Sequence, residues 1–218
     1  MKRYRSDNKA ASELLPVLVL LGVIIVSVIG IVAFDRIFLV ETEYPPDNGV
    51  YLDETEPIYG EPYAVLDIEG FGTIKIKLNR EKAPIAVDNF IKLTNEGFYT
   101  GLTFHRVIPS FMIQGGDPNG DGTGGPGYTI EGEQDNGLKH DRGAVACAKR
   151  GDDVRMSGSQ FYIVQAENGA HHLDGEHTVF GKVTQGMSVV DSITQVQTDA
   201  NDKPLDPVII AKAYIVYE

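Results

Sequence analysis

The 218-residue chain has no tryptophan and a single cysteine, Cys147. A lone cysteine excludes an intramolecular disulfide and any metal site built from several thiolates, and it leaves the redox compartment open. Basic side chains are also scarce: 19 Lys and Arg stand against 31 Asp and Glu, for a formal net charge of −12. The shortage is uneven. Residues 1–40 hold five Lys/Arg and three Asp/Glu, a net of +2, so residues 41–218 carry −14. A surface of that sign repels phosphate backbones and anionic lipid, which argues against nucleic acid as a partner. The length leaves room for one domain of ordinary size plus an appendage, not for two substantial cores.

What is present begins with an apolar run. Val17 to Phe34 reads VLVLLGVIIVSVIGIVAF, eighteen residues with no charge, and Ile37–Val40 can extend it. That length suits a membrane-spanning helix. Lys2, Arg3, Arg5 and Lys9 precede it, so the positive-inside rule puts the N-terminus in the cytoplasm and everything after residue 40 on the extracytoplasmic side. The run exceeds a usual signal-peptide core and no A-x-A site follows, so a retained single-pass anchor is expected rather than a cleaved leader. Residues 41–62 contain four prolines and seven carboxylates with no apolar period, the composition of an extended, self-repelling tether. The expected organisation is a basic cytoplasmic segment at 1–16, an anchor at 17–40, a tether at 41–61 and one domain at 62–218.

Within that domain, residues 64–79 alternate apolar and polar side chains around a Gly-containing turn, as a β-hairpin does. Pro84 in the first turn and an apolar face of Ile85, Val87, Phe90, Ile91 and Leu93, closed by Gly97, predict a helix over Ala83–Asn95. Short strands are expected at Thr103–Ile108, Met112–Gly115, Ala144–Ala148, Gln160–Val164, Thr178–Val183 and Val208–Tyr217, and a second short helix at Met187–Thr194. Many short strands with two helices suggest a closed antiparallel barrel, in which no edge is left exposed.

Four blocks then stand in order: FHRVIPSFMIQGGD at 104–117, GTGGPGY at 122–128, GSQFYI at 158–163 and LDGEHTVFGKV at 173–183. The first closely resembles the signature of the cyclophilin family of peptidyl-prolyl cis-trans isomerases, departing from its usual Gly at Ser110, and the others match that family's later blocks. The resemblance spans roughly residues 62–218. It implies a mainly β fold, a closed eight-stranded antiparallel barrel capped by two helices, with the active site on the outer face. It also implies proline-containing polypeptides as clients and requires no cofactor or metal.

The chemistry of such a task asks for little. Amide resonance sets a barrier of about 18–20 kcal/mol to rotation of an X-Pro bond, although its two forms differ by only about 0.5–1 kcal/mol. A catalyst needs to bind the twisted amide better than either planar form. An apolar slot for the ring, a fixed cation near the prolyl nitrogen and a donor for the moving carbonyl suffice. Arg106 offers a permanent charge with planar donors, and the resemblance makes it the catalytic residue. By motif position Phe111, Met112, Tyr162 and Leu173 line the proline slot, Gln114 orients Arg106 and contacts the substrate backbone, and Ala148 and Lys149 pair with the residues flanking proline. His177 closes one side.

Three departures stand out. His172 replaces the family's frequent Trp, an aromatic that helps hold cyclosporin, so weakened cyclosporin binding with retained activity is expected. Tyr162 stands at a position usually held by Phe and brings a hydroxyl that needs a partner. The segment Lys149–Ser157 is about two residues longer than the short form of that loop. These departures keep a second reading open, a binding module for proline segments with little turnover. A third is a scaffold subunit recruited through the anchor. Other patterns have plainer accounts. Asp117, Asn119 and Asp121 start like a calcium loop, but Tyr128 occupies the twelfth position where Glu is required. His171, His172 and His177 near Asp174 match no metal-ligand spacing. The RGD at 150–152 reads as a chance tripeptide, and Cys147 as a small buried hydrophobe.

Overall fold

The computed structural model describes residues 60–149 and 155–218. The expected anchor at 17–40, almost all of the tether and the RGD tripeptide lie outside the described residues. Among those described, no helix is long and apolar enough to cross a membrane.

The elements run β1 (Pro62–Ile68), β2 (Gly72–Leu78), α1 (Pro84–Asn95), β3 (Arg106–Ile108), β4 (Met112–Gly115), β5 (Thr129–Ile130), β6 (Ala144–Lys149), β7 (Met156–Val164), a 3-10 turn (His171–Leu173), β8 (Val179–Gln185), α2 (Met187–Ile193) and β9 (Ile210–Tyr217). All strand pairings are antiparallel and follow one curled path, β3-β4-β7-β6-β8-β2-β1-β9, with β5 added against β7.

The expected closed eight-stranded barrel is therefore corrected to a curled path of eight strands, with β5 beside it, whose ends β3 and β9 are not paired as strands and are linked near the seam by an isolated bridge from Thr103 to Ile209. The expected strand over Thr103–Ile108 forms only at Arg106–Ile108. The residues before it cross the gap as a loop: Gly101 and Phe104 donate to the carbonyls of Ile210 and Val208, and Ile210 donates to Leu102. Gly101 sits at φ 86, and Pro207 has no N–H to give, so regular pairing fails on both sides of this seam.

The interior of the curl is filled from all sides. Ile74, Ile76, Leu66, Val107, Ile113, Val145, Phe161 and Ile163 point inward. Helix α1 buries Ala86, Val87, Phe90 and Leu93. Phe90 stacks on Tyr99 at 4.7 Å and meets Phe161 edge-on at 5.4 Å; burying a phenylalanine is worth about 1.5–3 kcal/mol. No side chain of the N-cap residue Ala83 caps α1. Instead Glu133, far along the chain, accepts the N–H groups of Ile85 and Ala86 at 3.0 Å each, satisfying two of the helix's orphan donors. Helix α2 contributes Val190 and Ile193 to the same core.

Candidate active site

Strand alternation makes a second layer on the outside of the curl. In β6, Val145 and Cys147 face the interior while Ala144, Ala146 and Ala148 face out; in β7, Phe161 and Ile163 face in while Tyr162 and Val164 face out. Met112 of β4 joins the outward set. These residues form a separate apolar cluster against which Ile108, Phe111 and Leu173 pack. Register carries a row across four strands: Arg106 opposes Gln114, Gln114 opposes Tyr162, and Tyr162 opposes Ala146.

On this outer face opens a cavity of about 190 Å³. Arg106, Phe111, Met112 and Gln114 from β3, β4 and the turn between them, Ala148, Lys149 and Tyr162 from β6 and β7, and Leu173 and His177 from the 3-10 turn and the segment after it line the cavity. A larger hollow of about 480 Å³ runs along residues 123–129 and 157–158, but its lining has no charged side chain. Nine of the ten residues singled out from sequence thus converge. The tenth, His172, is not among the lining residues; its exposed ring leans over Phe111 from outside, 5.6 Å between centroids. Met112 is only 2 % exposed, so it serves the cavity from within the outer cluster rather than on an open wall, whereas Phe111 is half-buried.

Phe111 is held by its backbone. Its carbonyl accepts the N–H groups of Gln165 and Ala166 at 2.8 and 3.1 Å. Ser110 just before it adopts φ 60, the left-handed region that favours glycine, and its N–H donates to Gln165 Oε1 at 2.9 Å. Gln165 is fixed in turn through Asp191 Oδ1, a carboxylate also paired with Arg142.

The polar wall is organised differently from the sequence expectation. The Gln114 side-chain nitrogen donates to Gln160 Oε1 at 2.9 Å, and Gln160 is anchored by donating to the carbonyls of Gly122 and Gly124. The guanidinium's partner is Asp202, whose Oδ2 lies 3.4 Å from Arg106 Nε. Arg106 keeps close to half of its side chain exposed, 45 %. At the other end, His177 Nδ1 donates to the Cys147 carbonyl at 3.0 Å, and its ring stands edge-on to Tyr162. Burial lowers the His177 pKa although that hydrogen bond opposes it, so the ring is neutral with Nε2 as acceptor.

The extra hydroxyl of Tyr162 does have a partner, and sequence reasoning missed it. His140 is fully buried, with Nε2 2.9 Å from the Tyr162 hydroxyl and Nδ1 2.9 Å from Asp174 Oδ1. A carboxylate only accepts, so Nδ1 carries the proton and Tyr162 donates to Nε2. Burial lowers the His140 pKa against the pull of Asp174. Burial pushes the Tyr162 phenol far above its ordinary value. For Asp174, partial burial acts upward but is outweighed by hydrogen bonds from the His140 backbone, the His140 ring and His171, which hold the carboxyl well below its usual range. Cys147 is buried and its thiol is pushed far up by desolvation, leaving no thiolate for chemistry. Asp117 turns its carboxylate to the N–H groups of Asn119, Asp121 and Gly122, capping the turn that had the look of a calcium loop.

Residues 63–215 match the family model described as cyclophilin type peptidyl-prolyl cis-trans isomerase/CLD. The chain is 52 % identical over 128 residues to peptidyl-prolyl cis-trans isomerase B of Bacillus subtilis, covering 58 % of this chain and 87 % of that one. It is 51 % identical over 127 residues to a Helicobacter pylori peptidyl-prolyl cis-trans isomerase, covering 57 % and 76 %. A crystal structure of a Cryptosporidium parvum cyclophilin type peptidyl-prolyl cis-trans isomerase, obtained in the presence of the dipeptide Ala-Pro, superposes with a TM-score of 0.66 at 32 % identity, covering 72 % of this chain and 99 % of that one.

Proposed function

The chain belongs to the cyclophilin-type peptidyl-prolyl cis-trans isomerases, and on that premise we propose that the outer cavity is its catalytic site, with Arg106 stabilising the twisted amide. The enzyme is a peptidyl-prolyl cis-trans isomerase. The observation that carries the site is convergence: residues far apart in sequence meet around 190 Å³ that holds one guanidinium, one anchored amide and an apolar floor. The Ala-Pro dipeptide present with the Cryptosporidium parvum relative supports a proline ring as the occupant.

The proline ring rests against Phe111, Met112, Tyr162 and Leu173. As the amide twists, resonance is lost and the lone pair localises on the prolyl nitrogen, where the Arg106 donors stabilise it. Gln114, braced by Gln160, offers its amide to the substrate backbone, and Ala148 and Lys149 flank the chain on the side opposite Arg106. No bond is broken and no proton is consumed, so binding differences alone supply the acceleration. Loss of turnover on a proline peptide when Arg106 is removed tests this assignment.

His172 lies where the family's Trp commonly stands, and its imidazole, set against Phe111, offers less aromatic surface than an indole would. Cyclosporin is therefore expected to bind weakly, and His172→Trp is expected to tighten it by about tenfold, the worth of one good aromatic contact. Calorimetric titration of both chains checks this; equal affinities would remove His172 as the cause.

We place the domain, residues 62–218, on the extracytoplasmic side of a membrane, held by the apolar run at 17–40 and acting on exported or membrane-proximal clients. The unbroken run with Lys2, Arg3, Arg5 and Lys9 before it supports that placement. In sealed cells the chain should stay with the membrane after an alkaline wash and be cut by protease added from outside. Recovery in the soluble fraction would end the proposal.

A further inference from the structure

Both cations that reach the cavity are met by a carboxylate on its rim. Arg106 Nε stands 3.4 Å from Asp202 Oδ2, and Lys149 Nζ stands 3.4 Å from Glu176 Oε2. The first pairing is built into the backbone. Asp202 sits at φ 63, in the left-handed region, at the end of a turn in which Asp199 accepts the N–H groups of Asn201 and Lys203 at 2.8 and 3.0 Å. The Asp202 carbonyl accepts the N–H of Val107, the residue after Arg106, at 2.8 Å, and Lys203 Nζ ties the turn to the Gly120 carbonyl. Asp tolerates this left-handed backbone better than most residues. Glu176 is positioned by the segment after the 3-10 turn, its N–H donating to the Leu173 carbonyl at 3.0 Å.

Exposure decides which charge an arriving peptide feels. The Glu176 side chain is 70 % exposed while Lys149, its partner, is 16 % exposed; Asp202 and Arg106 are nearly equal at 43 % and 45 %. The cations are thus compensated at the cavity wall, with the Glu176 carboxylate outermost and Asp202 level with Arg106. The described residues as a whole hold 13 Lys/Arg against 20 Asp/Glu, a net of −7 whose field gathers cationic chains and turns away anionic ones.

We infer that this cavity selects proline segments flanked by Lys or Arg, with Asp202 and Glu176 as specificity-determining residues. The inference rests on the cavity being the isomerase site. A basic side chain beside the proline shares a rim carboxylate without stripping Arg106 of its orientation. An acidic one meets carboxylates whose cations are already engaged. Exposed pairs are individually weak and screened by salt, so the selectivity is moderate and fades at high ionic strength.

The test uses the full chain and three peptides identical except for the residues flanking proline, which are Lys, Ala or Glu. At low ionic strength kcat/KM should fall in that order, with a Lys-to-Glu ratio of about tenfold, shrinking to about twofold at about 0.5 M salt. In the double variant Asp202→Asn, Glu176→Gln the low-salt ratio should drop below about threefold. Asn is chosen because it too tolerates the left-handed backbone. A ratio of two substrates on one enzyme is insensitive to how much of the variant folds. A wild-type ratio at or below one, or a double variant with the wild-type ratio, would overturn the inference. If the Ala-flanked peptide is not turned over at all, the assignment of the cavity fails first, and the selectivity fails with it.

Discussion

Replacing Arg106 with Ala should lower kcat/KM on a neutral proline peptide by about 10²–10³, the usual loss when one preorganised donor to a developing charge is removed. In barrier terms that is about 3–4 kcal/mol. The fold should survive, because the side chain is nearly half exposed and its ion pair with Asp202 is of the kind worth at most about 1 kcal/mol. Arg106→Lys should recover only a small part of the loss, since an ammonium is a point charge and cannot present two planar donors. The comparison is made at a temperature where uncatalysed rotation is slow, with circular dichroism on each variant. Full activity in a folded Arg106→Ala chain would remove Arg106 from the mechanism.

The second large effect concerns stability. His140→Leu should cost about 3 kcal/mol, because it leaves the Tyr162 hydroxyl without its buried partner and takes from Asp174 Oδ1 its ring donor, leaving only the backbone N–H of residue 140 on that oxygen. Adding Tyr162→Phe should return part of it by deleting the stranded hydroxyl. The pH dependence has a definite sign. Burial holds the folded pKa of His140, and likewise of His105 and His177, below the ordinary value near 6.5. Below about pH 6.5 the unfolded chain takes up protons that the folded chain refuses. The stability they contribute is therefore full above pH 6.5 and is lost as pH falls through the depressed folded values, by up to about 1.4 kcal/mol per pH unit for each ring. Both ring nitrogens of His105 are buried without a hydrogen-bond partner, which adds to its share. Asp174, whose folded pKa is also lowered, adds a further loss in stronger acid. Denaturant melts between about pH 7.5 and 5 should show this decline in the wild type and a shallower one in His140→Leu. A flat profile in the wild type would refute the burial argument.

These expectations also show where sequence reasoning reaches and where it stops. The bounds of α1 were legible to within one residue because a period-3.6 apolar pattern reports a face that must be buried, whereas Met112–Gly115, matched to the residue, has no alternation and was bounded by the motif around it. The two residues of β5 are too few to show any period, and β3 is half its expected length because the break depends on Gly101 and Pro207 at a seam closed from the far end of the chain. Among site residues the same rule holds. Seven of the nine that line the cavity lie in blocks whose order carries information, and Ala148 and Lys149 stand between two of those blocks. Asp202 and His140 lie outside those blocks and act across 96 and 22 positions, as isolated side chains with no spacing to read. A signal did exist for one of them. A tyrosine hydroxyl placed under an apolar slot demands a partner, and a search for a buried acceptor would have led to the lone His140.

The alternation along β6 and β7 divides each strand between two masters. Val145, Cys147, Phe161 and Ile163 answer to the interior, while Ala148 and Tyr162 answer to whatever peptide enters from outside. A side chain changed on the outer set alters the surface that a peptide meets without touching the layer that fills the curl, so one strand can be re-cut for a different guest on one side while its reverse keeps the fold closed.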